Sequence, residues 1–197
     1  MRLAVVAFGH VHAEDLAALT TRFEHIEQLV LDVPPREDLA KHRAELNRAL
    51  DAASTDWVLI VREREVVDDA LAQEVADAMK AAKAWGFRIA SVAHYAGAPL
   101  RIGGSEGELR LMHRRHVLRR GELLVQGTVV RLTNALRSVT FATPEEHRAH
   151  LAGRAAPHSS LRRALLFLRY ALATGTLDRN TLRYLWVEAG FDATNNL

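Results

Sequence analysis

Trp57-Val58-Leu59-Ile60-Val61-Arg62-Glu63-Arg64-Glu65 decides how the rest of the chain is read. Five apolar residues, three of them β-branched, stop abruptly at four alternating charges. Such a run reads as a strand buried on both faces that delivers a polar loop at its carboxyl end. On its N-terminal side, Arg36 to Ala53 is rich in polar residues and sets Leu39, Leu46 and Leu50 on one helical face. On its C-terminal side, a helix is predicted from about Asp68 to Ala84. Further out the same alternation recurs. Leu3 to Phe8 is an apolar strand ended by Gly9, and His12 to Phe23 has helical spacing through Leu16, Leu19 and Phe23. Ile26 to Leu31 is a strand closed by Asp32 and the breaker Pro34-Pro35. A β-α-β-α-β-α order predicts an α/β fold with a mostly parallel sheet and helices on both faces, joined by right-handed crossovers. Sheets of this kind take ligands at the carboxyl ends of their strands. Here those ends are Gly9 to His12, Asp32 to Pro35 and Arg62 to Glu65.

The second half reads differently. Phe87 to His94 is a predicted strand, Ala96 to Glu108 a Gly-rich loop, and Leu109 to Arg115 and Glu122 to Arg131 alternate as strands do. Thr143-Pro144-Glu145-Glu146 is a helix start, with a Thr cap, Pro at the first helical position and a Glu reaching back. Gly153 to Pro157 reads as a linker. Helices are expected from Ser159 or Ser160 to Thr174 and from Asn180 to Ala189. The organisation expected is an α/β domain over 1–155 and a C-terminal helical extension over 156–197.

The composition bounds the chemistry. The 197 residues include no Cys, which excludes a disulfide framework and thiolate catalysis. The N-terminal apolar run is too short for a signal segment or a membrane span, so a cytoplasmic protein is expected. The net charge is +2, yet six Arg fall between Arg101 and Arg120 against Glu106 and Glu108. That cluster is either an anion-attracting patch or a solvated edge. The three Trp and three Tyr lie outside it, which counts against stacking on single-stranded nucleic acid. A G-x-G-x-x-G turn, a Walker lysine and a G-x-S-x-G elbow are all missing, so dinucleotide redox, P-loop and serine-hydrolase functions drop out.

From Leu46-Asn-Arg-Ala-Leu-Asp-Ala-Ala-Ser-Thr-Asp-Trp-Val-Leu-Ile-Val61 onward, the sequence resembles family 2 glycosyltransferases, above all the subgroup that extends bacterial lipopolysaccharide cores. Leu3 to Phe8, Leu29 to Asp32, Glu108 to Arg115, and Val125 to Leu132 with Thr143 to His147 are similar to further landmarks of that family. The resemblance spans about residues 1–155. It implies the nucleotide-diphospho-sugar transferase (GT-A-like) arrangement, a nucleotide-sugar donor, and a glycan or lipid-linked acceptor in cell-envelope polysaccharide synthesis. It also implies a nucleotide-binding role for Phe8, Gly9 and Asp32, and an acidic base whose place lies near Glu122. Where the family holds a divalent metal with an Asp-x-Asp motif, this chain has Arg62 and Arg64. A guanidinium has no acceptor and cannot ligate a cation, so neither a metal nor another cofactor is expected.

Each candidate has a plainer counterpart. Arg62 and Arg64 stand at i and i+2, and on an extended segment both would face a diphosphate and neutralise it directly; alternatively they pair with their own Glu neighbours. Glu63 and Glu65 are candidate bases for an acceptor hydroxyl, or partners of those same Arg. Asp32 contacts a base or ribose, or caps the turn before Pro34. His10 and His12, His113 and His116, and His147 and His150 are pairs without the remaining ligands of a metal site. The basic amphipathic stretch Leu161 to Tyr170 suits an anionic membrane surface, although such helices more often dock on their own domain or on a twin subunit. Two functions follow: a transferase that is metal-independent or inactive, or a non-catalytic homologue serving as a binding or assembly module. A nucleic-acid binder is the weaker third.

Overall fold

The computed structural model describes residues 1–32, 42–118, 123–152, 165, 168–169, 172, 175 and 178–188, with 101–106 described by their backbone alone. The chain divides into two compact units. One is Met1–Ser91 with Ser105–Arg137, and the other is Val92–Gly104 with Ser138–Leu197. The expected boundary near residue 155 lies outside the described residues, as does the expected linker.

Seven strands form one sheet: β1 (Arg2–Phe8), β2 (His25–Leu31), β3 (Trp57–Arg62), β4 (Glu65–Val66), β5 (Gly86–Tyr95), β6 (Ala98–His113) and β9 (Val129–Phe141). Their order is β2-β1-β3-β6-β5-β9-β4. A separate two-stranded ribbon joins β7 (Val117–Leu118) to β8 (Leu124–Val125). β1 runs parallel to β2 and to β3, as the alternation predicts. β3 then meets β6 antiparallel, so the sheet is mixed.

In the first unit both faces of the central strands are covered, which is why β1 and β3 read as continuous apolar runs. Leu3, Val5 and Ala7 of β1, with Leu59 and Val61 of β3, pack on Leu71, Val75 and Met79 of α3 (Asp69–Ala81). The alternate residues Ala4, Val6 and Phe8, with Val58 and Ile60, pack on Leu46 and Leu50 of α2 (Arg43–Ala52). Burying a side chain of this size stabilises the fold by about 1.5–3 kcal/mol. The helix expected between β1 and β2 is a 3-10 turn, Ala13–Leu16, followed by the short α1, Ala17–Thr20. α3 starts where the sequence indicates, because Asp68 accepts a hydrogen bond from the Leu71 amide at 2.9 Å. It ends at Ala82 in the left-handed conformation. Glu74 of α3 accepts from the amides of Thr133 and Asn134 at 2.7 and 2.8 Å, fastening β9 to the helix.

The loop expected over Ala96 to Glu108 is not one. β6 begins at Ala98, and a two-residue turn at Ala96-Gly97 makes β5 and β6 a hairpin. Both turn residues have positive φ, 48° and 82°, the geometry of a type I′ turn whose twist matches the flanking strands. Backbone pairing across the hairpin overrides the weak strand propensity of the glycines. β9 likewise runs on to Phe141, beyond the alternation that ends at Arg131.

The second unit is built on the distal part of that hairpin and the end of β9. Tyr95, Leu100 and Phe141 form its core with Leu185 of α5 (Arg179–Glu188). α4 (Pro144–Ala152) starts as the sequence predicts: Thr143 Oγ1 accepts from the Glu146 amide at 3.2 Å, and Glu146 accepts from the Ala142 amide at 2.8 Å. Buried His147 of α4 meets buried Glu188 of α5 through Nε2 and Oε2 at 2.8 Å, between the stacked rings of Phe141 and Tyr184. Burial pushes the neighbouring Tyr95 phenol up to about 12. Most of the helix expected before Thr174 lies outside the described residues.

Candidate functional site

The carboxyl edge of β1, β2 and β3 gathers most of the expected ligand-binding residues. Phe8 is flanked by Leu31 on one side and Arg62 on the other. Gly9 follows it with φ 77°, a left-handed conformation that suits glycine, and its amide donates to the Leu31 carbonyl at 3.0 Å. Asp32 is the next residue after β2 and is exposed. On the other side the Glu63 amide donates to the Phe8 carbonyl at 2.8 Å. Phe8, Gly9, Asp32 and Arg62 therefore share one sheet edge.

Arg64 does not join Arg62 there as an i, i+2 pair. The segment is not extended: Glu63 and Arg64 form a turn between β3 and β4, and Arg64 has φ 65°. Glu65 closes the turn by accepting from the Arg62 amide through Oε2 at 2.8 Å. Glu65 is 3% exposed. It receives a two-pronged grip from Arg110 of β6, with Nη1 to Oε2 at 3.1 Å and Nη2 to Oε1 at 3.0 Å. Both Glu65 oxygens are thus engaged, and Arg110 is wholly buried.

Arg62 is held by a second carboxylate. The register Trp57↔His113, Val58↔Met112, Leu59↔Leu111, continued along the two strands, sets Arg62 opposite Glu108. Nη1 and Nη2 of Arg62 donate to Glu108 Oε1 and Oε2 at 3.3 and 2.8 Å. Arg110 Nε lies 3.2 Å from the same Oε2. Four residues therefore form one chain of charge, Arg62–Glu108–Arg110–Glu65, with two positive and two negative groups. Glu65 and Arg110 are fully desolvated; Arg62 and Glu108 are 22% and 35% exposed at its mouth. Desolvation pulls Arg110 below the ordinary guanidinium range, and Glu65 beside it pulls the other way. Such a pair holds together only because its geometry and hydrogen bonds offset the cost of removing both charges from water.

Glu108 and Arg110 were not legible as site residues. They read as a counter-charge and as one member of a basic cluster. Their period-two spacing with Met112 on β6 is the one available signal, and it requires knowing which strand lies alongside. The cluster itself is dispersed: Arg110 points inward, while Arg114 and Arg115 reach Asp56 at 4.0 and 3.0 Å and Arg114 also donates to the Ala53 carbonyl. Arg119, Arg120 and Glu122 lie outside the described residues.

The His pairs go their own ways. His10 and His12 meet edge-on at 4.6 Å, and His116 stacks on Trp85 at 4.1 Å. Among the described residues no three His, Asp or Glu are grouped as a metal would require. At the carboxyl edge the donor set does not fit a divalent cation, since Arg62 has no lone pair to offer and both oxygens of Glu65 are already hydrogen-bonded. An open cleft of about 410 Å³ lies at the opposite, amino edge, lined by Arg2, Asp56, Trp57 and Met79 among others. It contains none of the expected residues, and parallel strands present their ligand sites at the other end. Among the described residues no helix is long and apolar enough to cross a membrane. No protein-family model matches the chain, and no curated protein is recognisably similar to it.

Proposed function

We propose that this chain is a glycosyltransferase-like protein that receives the diphosphate of a nucleotide sugar at the carboxyl edge of β1 to β3, with guanidinium groups in place of a metal. The observation that carries the reading is the convergence on that edge of Phe8, Gly9, Asp32 and Arg62, with buried Arg110 behind Arg62. Arginine suits phosphate oxygens because its planar fork donates two parallel hydrogen bonds. In transfer, the acceptor oxygen forms a bond to the anomeric carbon as the bond to the diphosphate breaks. The guanidiniums take up the charge that develops on the leaving group, and the hydroxyl proton passes to a base. Of the two candidate bases on the turn after β3, Glu65 is committed to Arg110, which leaves Glu63 for that role.

A second reading, a non-catalytic binding or assembly module in cell-envelope polysaccharide synthesis, is favoured by that same commitment of Glu65. A glycan or lipid-linked acceptor belongs to both readings. Thermal unfolding with UDP- and GDP-sugars, with and without Mn²⁺, tests the proposal. The expected outcome is a rise in Tm that needs no metal and disappears in Arg62→Ala. Absence of any shift with any nucleotide would overturn it. Release of nucleoside diphosphate in the presence of a sugar acceptor separates the transferase from the module.

A further inference from the structure

The mouth of the ion chain is an anion site with an anion already in it. Glu108 presents two carboxylate oxygens to Arg62 in the fork-to-fork geometry that a phosphate would adopt. The same Oε2 faces Arg110, which is 0% exposed. Hydrogen bonding at this spot is incomplete: the buried Nε of Arg62 has no hydrogen-bond partner, and Arg110 Nε lies 3.2 Å from Glu108 Oε2 without forming an aligned hydrogen bond. A carboxylate satisfies two edges of the pair of guanidiniums and leaves the others; a phosphoryl group has three terminal oxygens and more charge to offer.

We infer that Glu108 is an internal stand-in for a phosphoryl anion, and that a phosphate or diphosphate binds between Arg62 and Arg110 by displacing it. The inference rests on the reading of the edge as a nucleotide-diphosphate site, and adds to it a gate.

Charge decides the direction of the exchange. With Glu108 in place, two guanidiniums and two carboxylates cancel. With Glu108 swung out, Arg62, Arg110 and Glu65 leave one net positive charge, which a dianionic group over-compensates and a neutral ligand does not. Glu108 is the member able to leave, since it is the most exposed of the four at 35%. Glu65 cannot, because it is buried and also holds the Arg62 amide. The contact is therefore self-inhibiting: every anion bound must first overcome the Arg62–Glu108 pair.

Titration of wild type, Glu108→Gln, Arg62→Lys and the Arg62→Lys, Glu108→Gln double variant with inorganic pyrophosphate and with UDP tests this, with circular dichroism to establish folding. Glu108→Gln keeps the shape and removes the competing charge, so it should bind pyrophosphate about tenfold more tightly than wild type or better. The double variant, which lacks the fork, should lose most of that gain. Equal affinity of wild type and Glu108→Gln for both probes overturns the gate and leaves the nucleotide reading standing. Tighter pyrophosphate binding by Glu108→Gln without UDP binding supports the gated anion site and overturns the nucleotide reading. Failure of every protein to bind either probe overturns both. Should Glu108→Gln not fold, the wild-type Arg62 Nε–H resonance, assigned with Arg62→Lys, decides: it should shift on adding pyrophosphate, and an unmoved resonance at saturating pyrophosphate overturns the inference.

Discussion

Arg110 is the residue whose surroundings least resemble what its type suggests. It is wholly buried on a strand face shared with Glu108 and Met112, and its charge is tolerated because both oxygens of Glu65 accept from it. Arg110→Ala strands the Glu65 carboxylate in a dry site, and should cost about 3–5 kcal/mol in urea unfolding. The Glu65→Gln, Arg110→Met double variant should be less destabilised than Arg110→Ala, because no unpaired charge remains. Glu74 offers a pH test. Burial would raise its carboxyl, yet hydrogen bonds from Thr133 and Asn134 win and hold it below the ordinary value of 4.5. A depressed carboxyl stabilises the fold above the unfolded-state value and loses that contribution as pH falls through the folded one. Glu74→Gln should therefore lower stability at pH 7 by about 1–2 kcal/mol, and the gap to wild type should narrow as the pH drops below 4.5, measured by denaturant unfolding at stepped pH.

Among the elements, the β5–β6 hairpin departs furthest from the local reading. Ala96 occupies a position with φ 48°, where a Cβ is a burden and Asn or Gly is favoured. Ala96→Asn should raise stability by about 0.5–1 kcal/mol, read as a higher Tm. The Ala-Gly turn is a weaker signal than Asn-Gly or Asp-Gly, and Gly103, Gly104 and Gly107 dilute the alternation of β6, so the stretch passes for a loop. α3 and α4 were legible for the opposite reason. Their caps, Asp68 and Thr143, act within three residues and need no distant partner. The sequence marks a polar loop after β3 but not its shape, and Arg62 and Arg64 would face one way only on an extended segment. The Glu65 side chain, folding back on the Arg62 amide, makes a turn there instead.

Across the whole molecule, stability should be distributed as burial is. β1 and β3 are covered on both faces, whereas β2 is an edge strand with no fully buried residue and with His25, Gln28 and Val30 exposed. Hydrogen exchange followed by mass spectrometry should find the amides of Leu3 to Ala7 and Val58 to Val61 the slowest in the first unit, with those of β2 exchanging earlier. Equal protection of β2 and β1 would contradict this ordering. The second unit keeps its own core around Tyr95, Phe141 and Leu185. His147→Ala, which removes one partner of buried Glu188, should lower protection of α5 before that of β1.

By itself the sequence determined the three parallel strands, the helices that cover them and the polar edge they share. Those features follow from apolar runs, helical spacing and caps, all of which act over a few residues. It also limited the chemistry, since Arg62 and Arg64 cannot ligate a metal. Tertiary structure alone decided that β6 lies antiparallel to β3, that Glu108 stands against Arg62 from 46 positions away, and that Arg110 is buried on Glu65. The reason is that a charge carries no mark of its partner in the sequence. Whether a guanidinium faces water, a ligand or a carboxylate is set by which strand is laid beside it and how much solvent that strand excludes.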